Sequence, residues 1–281
     1  MSTLTPQPAQ QSRETGRLPV LFIGHGSPMN AIEDNDFTRA LSTLGKALPR
    51  PSAILCISAH WLTQGTYVEV SPQPRIIYDI YGFPQQLYQL QYPAAGAPQL
   101  AAELPGLVEG THIEPTTDWG LDHGAWSILK HLYPQADVPV FQMSIDYHRP
   151  LAYHYKLANE LRALRKRGVL IIGSGNLTHN LQQVDLTHPD ARPAAWALEF
   201  DATIKQFIDR SDHRAVMALD KLGSMARLAV PEPSHYIPLI YTLGLQDKHD
   251  NVQYFYEGFQ YGSLSMRCLL IGDEQLLNNM S

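Results

Sequence analysis

Cysteine is nearly absent from this chain: Cys56 and Cys268 are the only two in 281 residues. Each sits in an apolar run, which suits a buried free thiol better than a disulfide. Without a Cys-x-x-Cys pair, a zinc ribbon is excluded. Positive charge is also in short supply. Lys and Arg number 21 against 27 Asp and Glu, for a formal net charge of -6, and no basic block occurs. A cationic nucleic-acid surface is therefore not expected. No apolar run approaches the roughly 18 residues of a membrane span. Met1 to Gly16 is polar and Gln-rich and lacks the apolar core of a signal peptide, so residues 1–17 are expected to form a disordered tail and the protein to be cytoplasmic. Three motifs are missing as well. Without His-Glu-x-x-His there is no zincin. Without Gly-x-Ser-x-Gly there is no support for a hydrolase nucleophile elbow. The glycines around Ser174 lack the Lys-Ser/Thr pair of a phosphate loop and the third glycine of a dinucleotide fingerprint, so nucleotide binding is weakly supported.

Histidine is what the chain has in excess, with twelve. Three of them follow short, continuous apolar runs: His25 after Val20 to Ile23, His60 after Ala53 to Ile57, and His179 after Val169 to Ile172. Such runs read as strands buried on both faces of a parallel sheet. Ligands of open α/β sheets bind beyond the carboxyl ends of the strands, so side chains distant in sequence can converge there. Helical spacing marks Ile32 to Leu48, Ala125 to Tyr133, Leu151 to Arg167 and Pro193 to Arg210, and Pro233 opens a further helix. A short helix over Gln99 to Leu104 is expected to stop at Pro105. Further strands are expected over Pro139 to Ile145, Val252 to Tyr256 and Ser263 to Ile271. The alternation predicts a single α/β domain over 18–273, with a mostly parallel or mixed central sheet flanked by helices, and a C-terminal tail over 274–281. Pro72 to Pro98, rich in Pro, Tyr and Gln, reads as a long loop, either a binding loop or an aromatic-anchored surface excursion.

Neutral imidazole is the commonest protein ligand for zinc and non-haem iron. Gly24-His25-Gly26-Ser27-Pro28 is the sharpest local signal, because glycines on both sides permit close backbone approach. Its bland alternative is a glycine-rich turn with an incidental histidine. Asp122-His123-Gly124 starts a helix with Asp122 as a candidate cap. A histidine there is favoured in its neutral form and can exchange a hydrogen bond with a substrate oxygen; a plain capping motif is equally compatible. His235 lies on the first turn of an apolar helix, where a structural histidine is the ordinary case. His112, His131, His148, His154, His188, His213 and His249 show no strand-end placement and read as solvated or helix-face residues.

Five segments occur together in a recognisable order: Gly24-His25-Gly26-Ser27-Pro28-Met29-Asn30, Ser58-Ala59-His60-Trp61, Asp122-His123-Gly124-Ala125-Trp126, Gly175-Asn176-Leu177-Thr178-His179-Asn180 and His235-Tyr236-Ile237-Pro238-Leu239. The chain resembles the class III extradiol ring-cleaving dioxygenases, in the 4,5-DOPA extradiol dioxygenase branch, from about Leu18 to about Gly272. The resemblance implies one divalent metal held by His25, His60 and His235. It places His179 close by, as a further ligand or as the acid/base, and His123 as a catalytic residue. It further implies Fe(II) for turnover, Zn(II) as an expected occupant on isolation, and a small-molecule catechol and O2 as substrates. An all-histidine set departs from the 2-His-1-carboxylate arrangement usual for non-haem iron oxygenases. Arg75, Tyr78 and Asp79 are candidates for holding an amino-acid tail on the substrate. A zinc-dependent hydrolase with the same histidines is the alternative enzyme class. A non-catalytic metal or small-molecule binding protein is the third. Metal identity and oxygen consumption separate the hydrolase from the first reading; His123→Ala separates the binding protein, since in an enzyme it should leave metal bound but abolish turnover.

Overall fold

The structure is a computed structural model that describes residues 17–280, so the expected N-terminal tail falls, but for Arg17, outside the described residues. Six strands form the central sheet: β1 (Val20–Gly24), β2 (Ala53–Ser58), β3 (Val140–Gln142), β4 (Val169–Gly175), β5 (Asp250–Tyr256) and β6 (Cys268–Asp273). Their order is β5-β6-β1-β4-β2-β3. β1, β4, β2 and β3 run parallel, and β6 pairs antiparallel with both β1 and β5. The sheet is therefore mixed, with a parallel half and an antiparallel edge.

Side chains alternate across each strand, and here both faces are buried. Val20, Phe22, Leu55, Ile57 and Ile171 face one layer, and Leu21, Ile23, Ile54, Cys56 and Ile172 face the other. The helices divide in the same way. Those named below are α1 (Asp36–Ala47), α2 (His123–Leu132), α3 (Leu151–Leu161), α4 (Ala195–Asp209), α5 (Ile237–Gly244) and α6 (Glu274–Met280). Leu157 of α3, Phe200 and Ile204 of α4, and Leu239, Ile240 and Leu243 of α5 cover the first face. Phe37 and Leu41 of α1, with Trp126 and Leu129 of α2, cover the second.

Several boundaries differ from the sequence expectations. α1 starts at Asp36 rather than Ile32, because Asn35 and Thr38 form a reciprocal cap: the Asn35 side chain accepts from the Thr38 N–H at 3.0 Å and Thr38 Oγ1 accepts from the Asn35 N–H at 3.0 Å. The short helix continues through Pro105 to Leu107, because the proline lies within its last turn. Leu151 to Arg167 is α-helical only to Leu161 and then tightens to a 3-10 helix over Arg162–Arg167. The strand expected over Pro139 to Ile145 splits: Val140–Gln142 joins the sheet, and Ile145–Asp146 pairs with Leu62–Thr63. Ser263 to Ile271 divides likewise, into Leu264–Ser265, which pairs with Phe259–Gln260, and β6. Residues expected as a C-terminal tail form α6, since the Asp273 carboxylate accepts from the Leu276 N–H at 2.9 Å and Leu277 is buried. His154, expected as a solvated or helix-face residue, lies on α3 and is buried, with its Nδ1 3.1 Å from the Tyr241 hydroxyl.

Candidate metal centre

The carboxyl ends of the parallel strands place the site. His25 is the first residue after β1, and its N–H donates to the Gly175 carbonyl at 3.0 Å. Gly26 then turns the chain with φ +62, a left-handed conformation that favours glycine, and a Cβ there would displace the ends of the Met266 and Gln260 side chains. Asn30 Nδ2 donates back to the His25 carbonyl at 3.0 Å, and Gln260 Nε2 donates to Asn30 Oδ1 at 2.9 Å, which fixes the turn. His60 lies two residues beyond β2, with its N–H donating to Ser58 Oγ at 3.2 Å. His235 ends the 3-10 turn Pro233–His235 that leads into α5. Its carbonyl accepts from the Asn176 N–H at 2.9 Å and sits where a Cβ on Gly175 would be. The glycine at the end of β4 is what lets this turn approach the sheet.

The ligand nitrogens of His25, His60 and His235 all lie within 4.8 Å of one another. The Nε2 atoms of His25 and His60 are 3.2 Å apart. Ser174 settles which nitrogen of His25 carries the proton. The Ser174 hydroxyl donates to the Gly124 carbonyl at 2.6 Å, so it accepts from His25 Nδ1 at 2.9 Å. His25 Nε2 is left as a lone pair. His235 Nδ1 meets Ser234 Oγ at 3.3 Å, and His235 Nε2 is buried with no hydrogen-bond partner among the described residues. A buried, unpartnered nitrogen beside two others costs free energy unless something binds it. Burial, followed by the neighbouring imidazoles, holds all three rings well below the usual histidine pKa. Neutral imidazoles converging in this way fit a divalent cation.

A second side of the pocket is built from α2. Asp122 caps the helix, accepting from the Ala125 N–H at 3.3 Å, from Ser58 Oγ at 2.6 Å and from Gln142 Nε2 at 2.9 Å. Burial raises the Asp122 carboxyl above its ordinary range, and the charge of Asp79 adds to this. His123 follows as the first helical residue. Its ring centroid lies 3.8 Å from that of His60 and 5.6 Å from that of His25. Its Nδ1 is 2.8 Å from Asp79 Oδ2, and its N–H donates to Asp79 Oδ1 at 2.9 Å. Trp61, next to His60, stacks on Trp119 with centroids 5.5 Å apart and planes within 6°.

His179 stands beside the three-histidine group rather than within it. Its ring lies flat on His235, at 3.4 Å between centroids and 4° between planes. Burial, then the charge of His123, lowers its pKa to about 4. The structure thus gathers His25, His60, His123, His179 and His235 in one pocket. The residues expected to hold a substrate tail are engaged otherwise. Arg75 donates to the Asp118 carbonyl at 2.8 Å, Tyr78 donates to the Leu90 carbonyl at 2.6 Å, and Asp79 holds His123. Ser174 and Gln260 escaped the sequence reading. A serine inside an otherwise apolar buried strand was the available signal for the first; none marked the second.

Comparison with known proteins agrees with this geometry. Residues 19–265 match the family described as the catalytic LigB subunit of aromatic ring-opening dioxygenase. A protein of Escherichia coli K12 named 4,5-DOPA dioxygenase extradiol is 43% identical over 276 residues, covering 96% of this chain and all of that protein. A Beta vulgaris protein of the same name is 36% identical over 250 residues, covering 87% of this chain and 92% of that one. A crystal structure of an uncharacterized protein from Escherichia coli K12 superposes with a TM-score of 0.80 at 38% identity, covering 91% of this chain and all of the other. Family match, mixed α/β sheet and histidine cluster agree: the chain belongs to the LigB family of extradiol ring-opening dioxygenases.

Proposed function

We propose that the protein cleaves a catechol ring beside a hydroxyl, with L-DOPA or a close relative cut at the 4,5 bond, and inserts both atoms of O2 to give a ring-opened semialdehyde. The substrate class comes from the names of the Escherichia coli and Beta vulgaris relatives, both called 4,5-DOPA dioxygenase extradiol. The observation that carries the reading is the buried, unpartnered Nε2 of His235 facing the neutral His25 and His60. His25, His60 and His235 would hold one Fe(II), which would supply a Lewis-acidic anchor for the catechol and a path for electrons to O2. Zinc has no redox chemistry, so a zinc-loaded form would not turn over.

The protein's own groups do the rest. Three neutral ligands leave the cation's charge uncompensated, which favours an ionised catechol over a neutral one. His123, with Nδ1 turned to Asp79, presents Nε2 to accept a phenolic proton and return it as the ring opens. His179, stacked on His235 and neutral, lines the pocket as a hydrogen-bonding partner for the substrate.

The test is oxygen uptake with L-DOPA and a panel of small catechols. The protein is stripped of metal and reloaded anaerobically with Fe(II), beside a Zn(II)-loaded control. Uptake equal to substrate consumed, with a yellow product in the iron sample alone, is expected. No uptake with any catechol at confirmed iron occupancy would overturn the proposal.

A further inference from the structure

Asp79 belongs to the aromatic loop, far in sequence from His123. Three contacts fix the loop just before Asp79. Arg75–Ile76 pairs parallel with Gly120–Leu121. The Ile77 N–H donates to the Leu121 carbonyl at 2.8 Å. Trp126 Nε1, one turn along α2 from His123, donates to the Ile77 carbonyl at 3.0 Å. The loop is thus stitched to residues on both sides of His123, and Asp79 follows Ile77 by two positions.

Each oxygen of the Asp79 carboxylate has its own task. Oδ1 accepts the backbone N–H of His123 at 2.9 Å, and Oδ2 faces the ring Nδ1 at 2.8 Å. An ionised carboxylate can only accept. In the neutral ring His123 Nδ1 therefore carries the proton, and Nε2 is left with the lone pair. His60 Nδ1 lies 3.5 Å from the same Oδ2. His60, Asp79 and His123 are close enough together to ligate a second cation, but the two contacts with His123 account for the Asp79 carboxylate without one.

We propose that Asp79 is the positioning residue for His123: it sets the ring's orientation and fixes the Nδ1–H tautomer, so that Nε2 serves as the proton acceptor in ring opening. The inference rests on the proposed function for its kinetic consequence but not for its tautomer.

Asp79→Asn tests it. The amide oxygen can still accept the His123 N–H, while the amide nitrogen donates to Nδ1 and moves the ring proton to Nε2. Zinc-loaded protein labelled with 15N-histidine is examined by long-range 1H–15N correlation, with His123 assigned by the signals lost in His123→Ala. The wild type is expected to show Nδ1 protonated and Nε2 bare, and Asp79→Asn the reverse. In iron-loaded protein, kcat of Asp79→Asn is expected to fall about 100-fold or more, with KM and Zn(II) affinity within about threefold of wild type. A wild-type His123 protonated at Nε2 overturns the proposal. So does an unchanged kcat, or a loss of Zn(II) affinity as large as that of His60→Ala. If no catechol is consumed by wild-type protein, the proposed function fails, and the tautomer measurement still decides the role of Asp79.

Discussion

The two sides of the pocket are built on different principles. On the sheet side, His25 and His60 leave parallel strands whose flanking residues are buried, and Ser174 of the neighbouring strand orients His25. On the helix side, His123 is held by a carboxylate from a loop, and that loop is tied down by backbone bonds to residues 120–121 and by Trp126. The sheet side gathers lone pairs, and the helix side directs a proton. The sheet cannot shift without moving the core, whereas the loop can vary around its tie points. Metal retention and proton handling should therefore be separable by mutation.

His235→Ala gives the largest effect expected: metal content falls to background and all turnover is lost. Retained stoichiometric metal by elemental analysis would remove His235 from the ligand set. His123→Ala is the sharpest test of the division. Metal content should remain, while kcat falls about 100-fold or more. Loss of metal in this variant would erase the distinction between the two sides. Ser174→Ala deprives His25 Nδ1 of its acceptor, and metal affinity should fall about 10- to 100-fold; competition with a chromogenic chelator measures it. Unchanged affinity would show that His25 keeps its orientation without Ser174.

The smallest effect is one of pH on the metal-free protein. Burial lowers both His154 and His179 to about 4, against an ordinary 6.5. Between those values the unfolded chain binds protons that the folded chain excludes, so stability rises with pH across that window. Tm should fall as pH drops from 6.5 towards 4, and the slope should be shallower in His154→Gln. An equal slope in that variant would show that His154 contributes nothing.

The centre of the sheet was legible because β1, β2 and β4 are apolar runs that close on glycine or serine. That His25, His60 and His179 meet was legible for the same reason: strand ends mark where an α/β sheet binds ligands. His123 and His235, at helix starts, were joined to them only by the family resemblance. Boundaries were less legible. Asn35 and Thr38 cap each other only once both backbones are in place, and Pro105 sits too near a helix end to stop it. His154 looked like a helix-face residue because nothing in its own helix shows that Tyr241 packs against it. Asp79 was visible as a loop carboxylate, but its role depends on a contact with a residue 44 positions away. Periodicity reports burial along one element; it carries no information about which element supplies the partner.

The stacked Trp61 and Trp119 have an optical consequence. Two indoles 5.5 Å apart and nearly parallel form a coupled chromophore, and one of them adjoins His60 in the chain. A shift of the His60 backbone on metal capture would move Trp61, the next residue, with it. Near-ultraviolet circular dichroism and intrinsic fluorescence should therefore report occupancy of the pocket without a label, and the protein carries its own gauge of whether its metal is present.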